Sequence, residues 1–197
     1  MASDSHIQPP REDDPRTMQE RMEAGDWYKA GPDQWYAIAE ASRLTTEYNN
    51  TFPFDNEKAL ALLPKIFGSV GEAVYLREGI KVDFGKNIHW GNHCFANYGF
   101  TALDVAEIRI GNHVMFGTNV QLMTPIHPLD PVLRKEGWEA GAPIVIKDNV
   151  WVGSGAIILP GVTIGENSVI GAGAVVSRDV PDNSVAVGNP ARVVRTL

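Results

Sequence analysis

Ile146, Val152, Ile158, Ile164, Ile170 and Val176 recur at every sixth position. A second series runs two residues ahead of it: Ile144, Val150, Ala156, Val162, Ser168, Ala174, Val180 and Ala186, all small or aliphatic. Gly153, Gly165 and Gly171 directly follow members of the first series, where the chain must turn. A helix repeats at 3.6 and a strand at 2, so neither accounts for a period of six. The spacing predicts a parallel β-helix, in which each hexapeptide gives one short strand and one corner, and three hexapeptides close a triangular coil.

The pattern continues upstream. Ile110, Phe116 and Leu122 are in phase with Ile146, and Ile108, Val114 and Val120 with Ile144. The stretch from Pro125 to Ala142 breaks the pattern without losing phase, as a loop pushed out of one coil would. Val82, Ile88, Cys94 and Phe100 keep the spacing with an offset of two, which places a small insertion between Leu103 and Glu107. Residues 16 to 68 read differently. MQERMEAGDWY and PDQWYAIAEASRLTTEYNNT have helical spacing, with Trp35, Ile38, Ala39, Ser42 and Thr46 on one face. NEKALALLPKIFG predicts a further helix, with Asp55 as N-cap, Gly68 as its stop and Pro64 bending or shortening it. The expected organisation is a disordered polar tail over 1–15, a helical segment over 16–68, a β-helix over 69–191 and a C-terminal tail over 192–197. Coil ends expose unpaired strand edges, so the helical segment is expected to cover one of them. A flat apolar coil face favours oligomerisation.

Composition narrows the function. A net charge of -7 argues against nucleic-acid or membrane-surface binding, while leaving room for a local basic patch. The single cysteine, Cys94, excludes an internal disulfide and falls on an inward position, where packing is its expected role. No apolar run is long enough to span a bilayer, and the first 15 residues lack the apolar core of a signal peptide. The expectation is a soluble cytoplasmic protein. The period alone leaves the hand of the coil open.

Three strings carry a resemblance: NIHWGNHCFANYGFTALDV, IRIGNHVMFGTNVQLMTPIHPLDPVLR, and the long repeat ending VGNPARVV. Together they resemble the hexapeptide-repeat sugar O-acetyltransferases, with HPLDP and LDV closest to the maltose type. The resemblance covers about Met18 to Leu197. It implies a mainly β fold: a left-handed parallel β-helix of hexapeptide repeats with an N-terminal helical segment and an extended loop. It also implies a homotrimer with sites between subunits, acetyl-CoA as co-substrate, a sugar acceptor and no metal.

By that resemblance His127, in the loop between Pro125 and Pro128, corresponds to the catalytic base. Imidazole titrates near neutrality and suits removal of a hydroxyl proton during attack on a thioester. By itself, a loop histidine is more often a solvated surface residue. Ser154 resembles the residue whose backbone N–H faces the oxyanion, although GSGA is equally a tight corner. Trp151, Ala172, Ser177, Arg178, Arg192 and Arg195 resemble CoA contacts, the arginines for its phosphates. Asn97 and Asp83 resemble acceptor contacts; Asn97 also suits a left-handed corner, and Asp83 replaces a serine. Val105 and Ala30 stand where the resemblance has aspartates, with Asp33 a possible substitute, so the sugar is left open. A zinc carbonic-anhydrase-like reading would use His89, His93 and His113. Their spacings are not multiples of six, which argues against one stacked face. A non-catalytic scaffold is the remaining alternative.

Overall fold

The computed structural model describes residues 13–197. The expected N-terminal tail lies mostly outside them. Among its last residues the Asp14 carboxylate lies 2.6 Å from Arg16 and 3.7 Å from Arg21.

The chain winds into a three-sided β-solenoid whose rungs are parallel strands of two to four residues. Face 1 stacks Ser69–Val70, Ile88–Trp90, Ile108–Ile110, Ile144–Ile146 and Thr163–Ile164. Face 2 stacks Tyr75–Leu76, Phe95–Ala96, Met115–Phe116, Trp151–Val152, Val169–Ile170 and Ser184–Val187, then adds Arg192–Thr196 antiparallel at its end. Face 3 stacks Lys81–Val82, Thr101–Leu103, Gln121–Met123, Ile157–Ile158 and Val175–Val176. Both ladders point inward. Ile144, Val150, Ala156, Ile158, Ile164 and Ile170 are completely buried, each isoleucine or valine side chain contributing about 1.5–3 kcal/mol. Trp90, Phe100 and Phe116 fill the wider early coils, with ring centroids 5.1–5.8 Å apart.

Coil length varies, and this explains the offsets in the ladder. Ile88 stacks on Ile108, so the early turns take 20 residues. Ile146 stacks on Ile164, a turn of 18. Ile170 stacks on Ala186, a turn of 16. Val180 and Ala186 therefore sit beneath Ile164 and Ile170 of the first series, rather than continuing the second. Ser184 instead takes the place below Ser168, whose Oγ accepts its N–H at 3.1 Å.

Four helices and one short strand make up the segment that precedes the solenoid. Helix α1 (Met18–Glu23) opens with a Thr17/Glu20 capping box. The expected helical run through Tyr28 stops at Gly25, whose φ of 75° suits glycine, and Tyr28–Lys29 is extended. Helix α2 (Pro32–Thr51) buries Gln34, Ala41, Thr45 and Tyr48. The anticipated face is turned outward, with Trp35 61% exposed. The reason is polar: the Tyr48 hydroxyl donates to the Leu76 carbonyl, and the Asn49 amide accepts from Gly79 and Ile80 N–H and donates to the Ile80 carbonyl. Those bonds cover the open edge of the first coil. The expected third helix is two pieces, α3 (Asn56–Leu60) and α4 (Leu63–Ile66), because Pro64 has no N–H to return to Leu60. Asp55 does cap α3, accepting the Lys58 N–H at 3.0 Å.

Candidate active site

The corner where face 3 turns into face 1 carries the extra residues. Asp104 is fully buried there, and its carboxylate accepts N–H groups from Asp83, Phe84 and Asn87 at 3.1, 2.9 and 3.2 Å. One coil on, the Thr124 hydroxyl donates to the Leu103 carbonyl at 2.7 Å and accepts the Ala106 N–H at 3.0 Å. At the same corner of the third coil the chain leaves as a flap. Its strand Pro125–Ile126 runs antiparallel to Trp138–Gly141, with the short helix α5 (Pro131–Lys135) at the tip. Tyr28–Lys29 pairs with Trp138–Gly141 as a third strand. Lys29 Nζ stands 4.6 Å over the Trp138 ring. The loop is thus a small sheet held by the N-terminal segment.

His127 follows the first flap strand and is exposed. Arg134 donates to the Pro128 and Leu129 carbonyls at 2.8 and 3.0 Å, which holds the backbone just after it. Beside the flap root, Tyr28 is buried and its pKa is raised, first by burial and then by the nearby Glu139 carboxylate. Burial, then the Asp104 and Glu139 carboxylates, push Asp83 up to about 6. Val105 and Ala30, where the resemblance has aspartates, pack in one apolar cluster with Met22, Tyr28 and Phe84. The two departures are one packing arrangement. A cavity of about 450 Å³ adjoins them, lined in part by Gln19, Met22, His89, Val105 and Glu107. Ser177 and Arg178 lie at this corner too, after the last rung of face 3.

The corner between faces 2 and 3 holds the other group. Asn97, Gly117, Gly153 and Gly171 form a column, each N–H donating to the carbonyl of the next rung. A Cβ at Gly117 would lie 2.6 Å from Ser154 N, and one at Gly153 2.6 Å from Ala172 N. Bare backbone is therefore required for the coils to close. Thr118, Ser154 and Ala172 form the adjoining column. Ser154 Oγ accepts the Thr118 N–H at 3.1 Å, while the Ser154 N–H finds no acceptor among the described residues. Asn97 is not left-handed; Gly99, two residues later, is. Its Oδ1 accepts the Tyr98 N–H at 2.9 Å. Trp151 and Met115 are paired neighbours projecting from face 2, 52% and 51% exposed. Arg192 lies opposite Val187 near this corner, and Arg195 opposite Val185 farther along the same strand. Arg178, Arg192 and Arg195 are exposed, and none pairs with a carboxylate among the described residues.

One chain therefore separates the predicted residues into two groups. Asp83, His127, Ser177 and Arg178 occupy one corner; Asn97, Trp151, Ser154, Ala172 and Arg192 occupy or adjoin the other. Face 3 stands between them.

The histidines are arranged differently from the expectation. A gap of 20 is one full early turn, so His93 and His113 do stack, with ring centroids 5.0 Å apart and an 11° interplanar angle. Both are left-handed, in the column that Asn149, Asn167 and Asn183 continue. His89 lies apart on face 1, hydrogen-bonded to Ser69. Among the described residues no group of three or more metal-ligating side chains is assembled, and no helix is long and apolar enough to cross a membrane. Tyr28, Asp104, Thr124 and Glu139 were not anticipated. The one sequence signal for them was that Asp104 and Thr124 fall twenty apart in the phase-shifted stretch.

A three-sided solenoid with an extruded flap and glycine-lined corners is the architecture of the hexapeptide acyltransferases. The description "Bacterial transferase hexapeptide (six repeats)" matches residues 143–178, and "Maltose acetyltransferase hexapeptide capping motif" matches residues 21–71. The galactoside O-acetyltransferase of Escherichia coli is 40% identical over 91% of this chain and 89% of its own. A maltose O-acetyltransferase crystal structure from Clostridium difficile superposes with a TM-score of 0.91 at 45% identity, covering 93% of this chain and 99% of the other. A galactoside acetyltransferase in complex with coenzyme A gives 0.88 at 38%, covering 92% and 91%. The chain belongs to the hexapeptide-repeat sugar O-acetyltransferase family.

Proposed function

We propose that this protein transfers acetyl directly from acetyl-CoA to a sugar hydroxyl, in a site formed between neighbouring copies of a cytoplasmic homotrimer. The observation that carries the reading is the division of the site residues over the two corners bordering face 3. A three-fold assembly sets the Ser154 corner of one copy against the flap corner of the next, which reunites them. The bound coenzyme A of the galactoside acetyltransferase structure supports the donor. In this reading the helical segment, residues 16–68, is the unit that caps the solenoid and holds the flap.

The sugar oxygen attacks the thioester carbon while the His127 imidazole takes its proton. The resulting oxyanion accepts a hydrogen bond from the Ser154 N–H, a donor already free of other partners. The carbon–sulfur bond then breaks, the proton passes from imidazole to the CoA sulfur, and the acetyl ester leaves. Ala172 leaves room for the pantetheine arm, and Trp151 flanks it. Ser177, Arg178, Arg192 and Arg195 meet the phosphates of CoA. Asn97 and Asp83 contact the acceptor. The test is His127→Ala, read by thiol release against a sugar panel. The expected loss is about 10²- to 10⁴-fold in transfer, with CoA affinity and thermal stability kept, since the side chain is exposed. An unimpaired rate removes His127 from the mechanism.

A further inference from the structure

Two uncompensated charges stand at the same height on the two corners. Arg77 follows the strand Tyr75–Leu76, and Asp83 follows Lys81–Val82, consecutive rungs of the first coil. The Arg77 guanidinium lies 4.6 Å from the centroid of the Tyr98 ring and donates to the Tyr98 hydroxyl. Its Nε is buried without an acceptor, and no carboxylate pairs with it among the described residues. The ring contact and the hydroxyl bond hold the guanidinium, and its Nη2 makes no hydrogen bond among the described residues. Asp83 is the converse. Its side-chain oxygens accept no hydrogen bond among the described residues. The ionisable groups that face it are Asp104 on its own corner, Glu139 on the flap and Tyr28 on the N-terminal strand. None of them carries positive charge.

A three-fold axis parallel to the solenoid preserves height. In the trimer proposed above, on which this inference rests, the first coil of one copy faces the first coil of the next. We propose that Arg77 pairs with the partner subunit's Asp83 across that seam, with Tyr98 as the platform that aims the guanidinium. The pair closes the acceptor end of the site one rung below Asn97. It also gives a half-buried carboxylate the counter-charge that its own chain withholds. Removing one partner leaves the other charge partly buried and alone, so single replacements are more costly than a paired exchange.

The test uses the full chain in a sedimentation dilution series. Arg77→Glu and Asp83→Arg should each raise the half-dissociation concentration at least about tenfold, and the double exchange should return it to within about threefold of the parent. Circular dichroism checks folding. Should an exchange variant not fold, Arg77→Gln and Asp83→Asn replace it, and their combined loss should be no greater than the larger single loss. Pairing holds the Asp83 carboxyl below the value of about 6 it has in the lone protomer. Assembly is then at full strength above that pH and weakens as pH falls through the paired value, and Asp83→Asn should abolish this dependence. Losses that simply add in either cycle overturn the pairing. So does Arg77→Gln leaving the trimer intact while raising KM for anionic sugars, which would make Arg77 an acceptor contact. A parent chain that is active as a single copy overturns the trimer itself, a result distinct from a stable trimer without rescue.

Discussion

Replacing Asp104 with alanine tests whether the flap corner is built around one buried carboxylate. The side chain accepts three backbone N–H groups at 2.9–3.2 Å, and its residue has no exposed surface. In Asp104→Ala those three donors lose their acceptor at about 1–3 kcal/mol each. Removing the carboxylate also relieves its own desolvation, which is the first cause of its raised pKa. The balance is a loss of about 3–5 kcal/mol, or on the order of 10 °C in Tm for a chain of this size. Asp104→Asn keeps one acceptor oxygen but turns an amide against an N–H donor, and should lose about 1–2 kcal/mol. The pH dependence separates the two effects. A carboxyl raised by folding takes up a proton as the chain folds, so its contribution is fully present below the unfolded value near 3.9 and is lost as pH rises through the folded value. The parent should show that decline in urea titrations, and Asp104→Asn should not. Asp83 and Phe84 adjoin the flap root, so transfer should fall more than CoA affinity does. An Asp104→Ala variant within about 1 kcal/mol of the parent would refute the account of this corner.

Ser154→Ala keeps the backbone donor and loses only the bond from the Thr118 N–H; stability should drop by about 1 kcal/mol and transfer by less than about tenfold in steady-state assays, whereas a serine nucleophile would cost several orders of magnitude more. Phe116→Ala should cost about 3–5 kcal/mol in denaturant unfolding, because its ring contacts both Trp90 and Phe100 in the core.

The solenoid was legible because its core is written as two in-phase ladders that no other element produces. The variation in coil length was only half legible. The insertion between Leu103 and Glu107 shows as a phase shift, but the loss of two residues before Val180 does not, since Val180 and Ala186 remain aliphatic in either series. The same fixed period hid the His93–His113 stack, because a turn of 20 is not a multiple of six. The orientation of α2 was lost for a different reason. Tyr48 and Asn49 decide it through hydrogen bonds to coil backbone, and polar capping leaves no hydrophobic trace. His127, Ser154 and Asn97 were placed by motif, whereas Tyr28 and Glu139 were invisible because their pairing joins segments distant along the chain.

That pairing orders the birth of the enzyme. Each rung of the solenoid closes on a neighbour 16 to 20 residues away wherever the flap does not intervene, so winding can proceed as the polypeptide is made. Tyr28 must wait for Glu139, roughly a hundred residues later, before its sheet exists. The solenoid is thus built from pairings between segments close along the chain, whereas the flap depends on a strand made roughly a hundred residues before its partner, with several rungs of the solenoid still to follow.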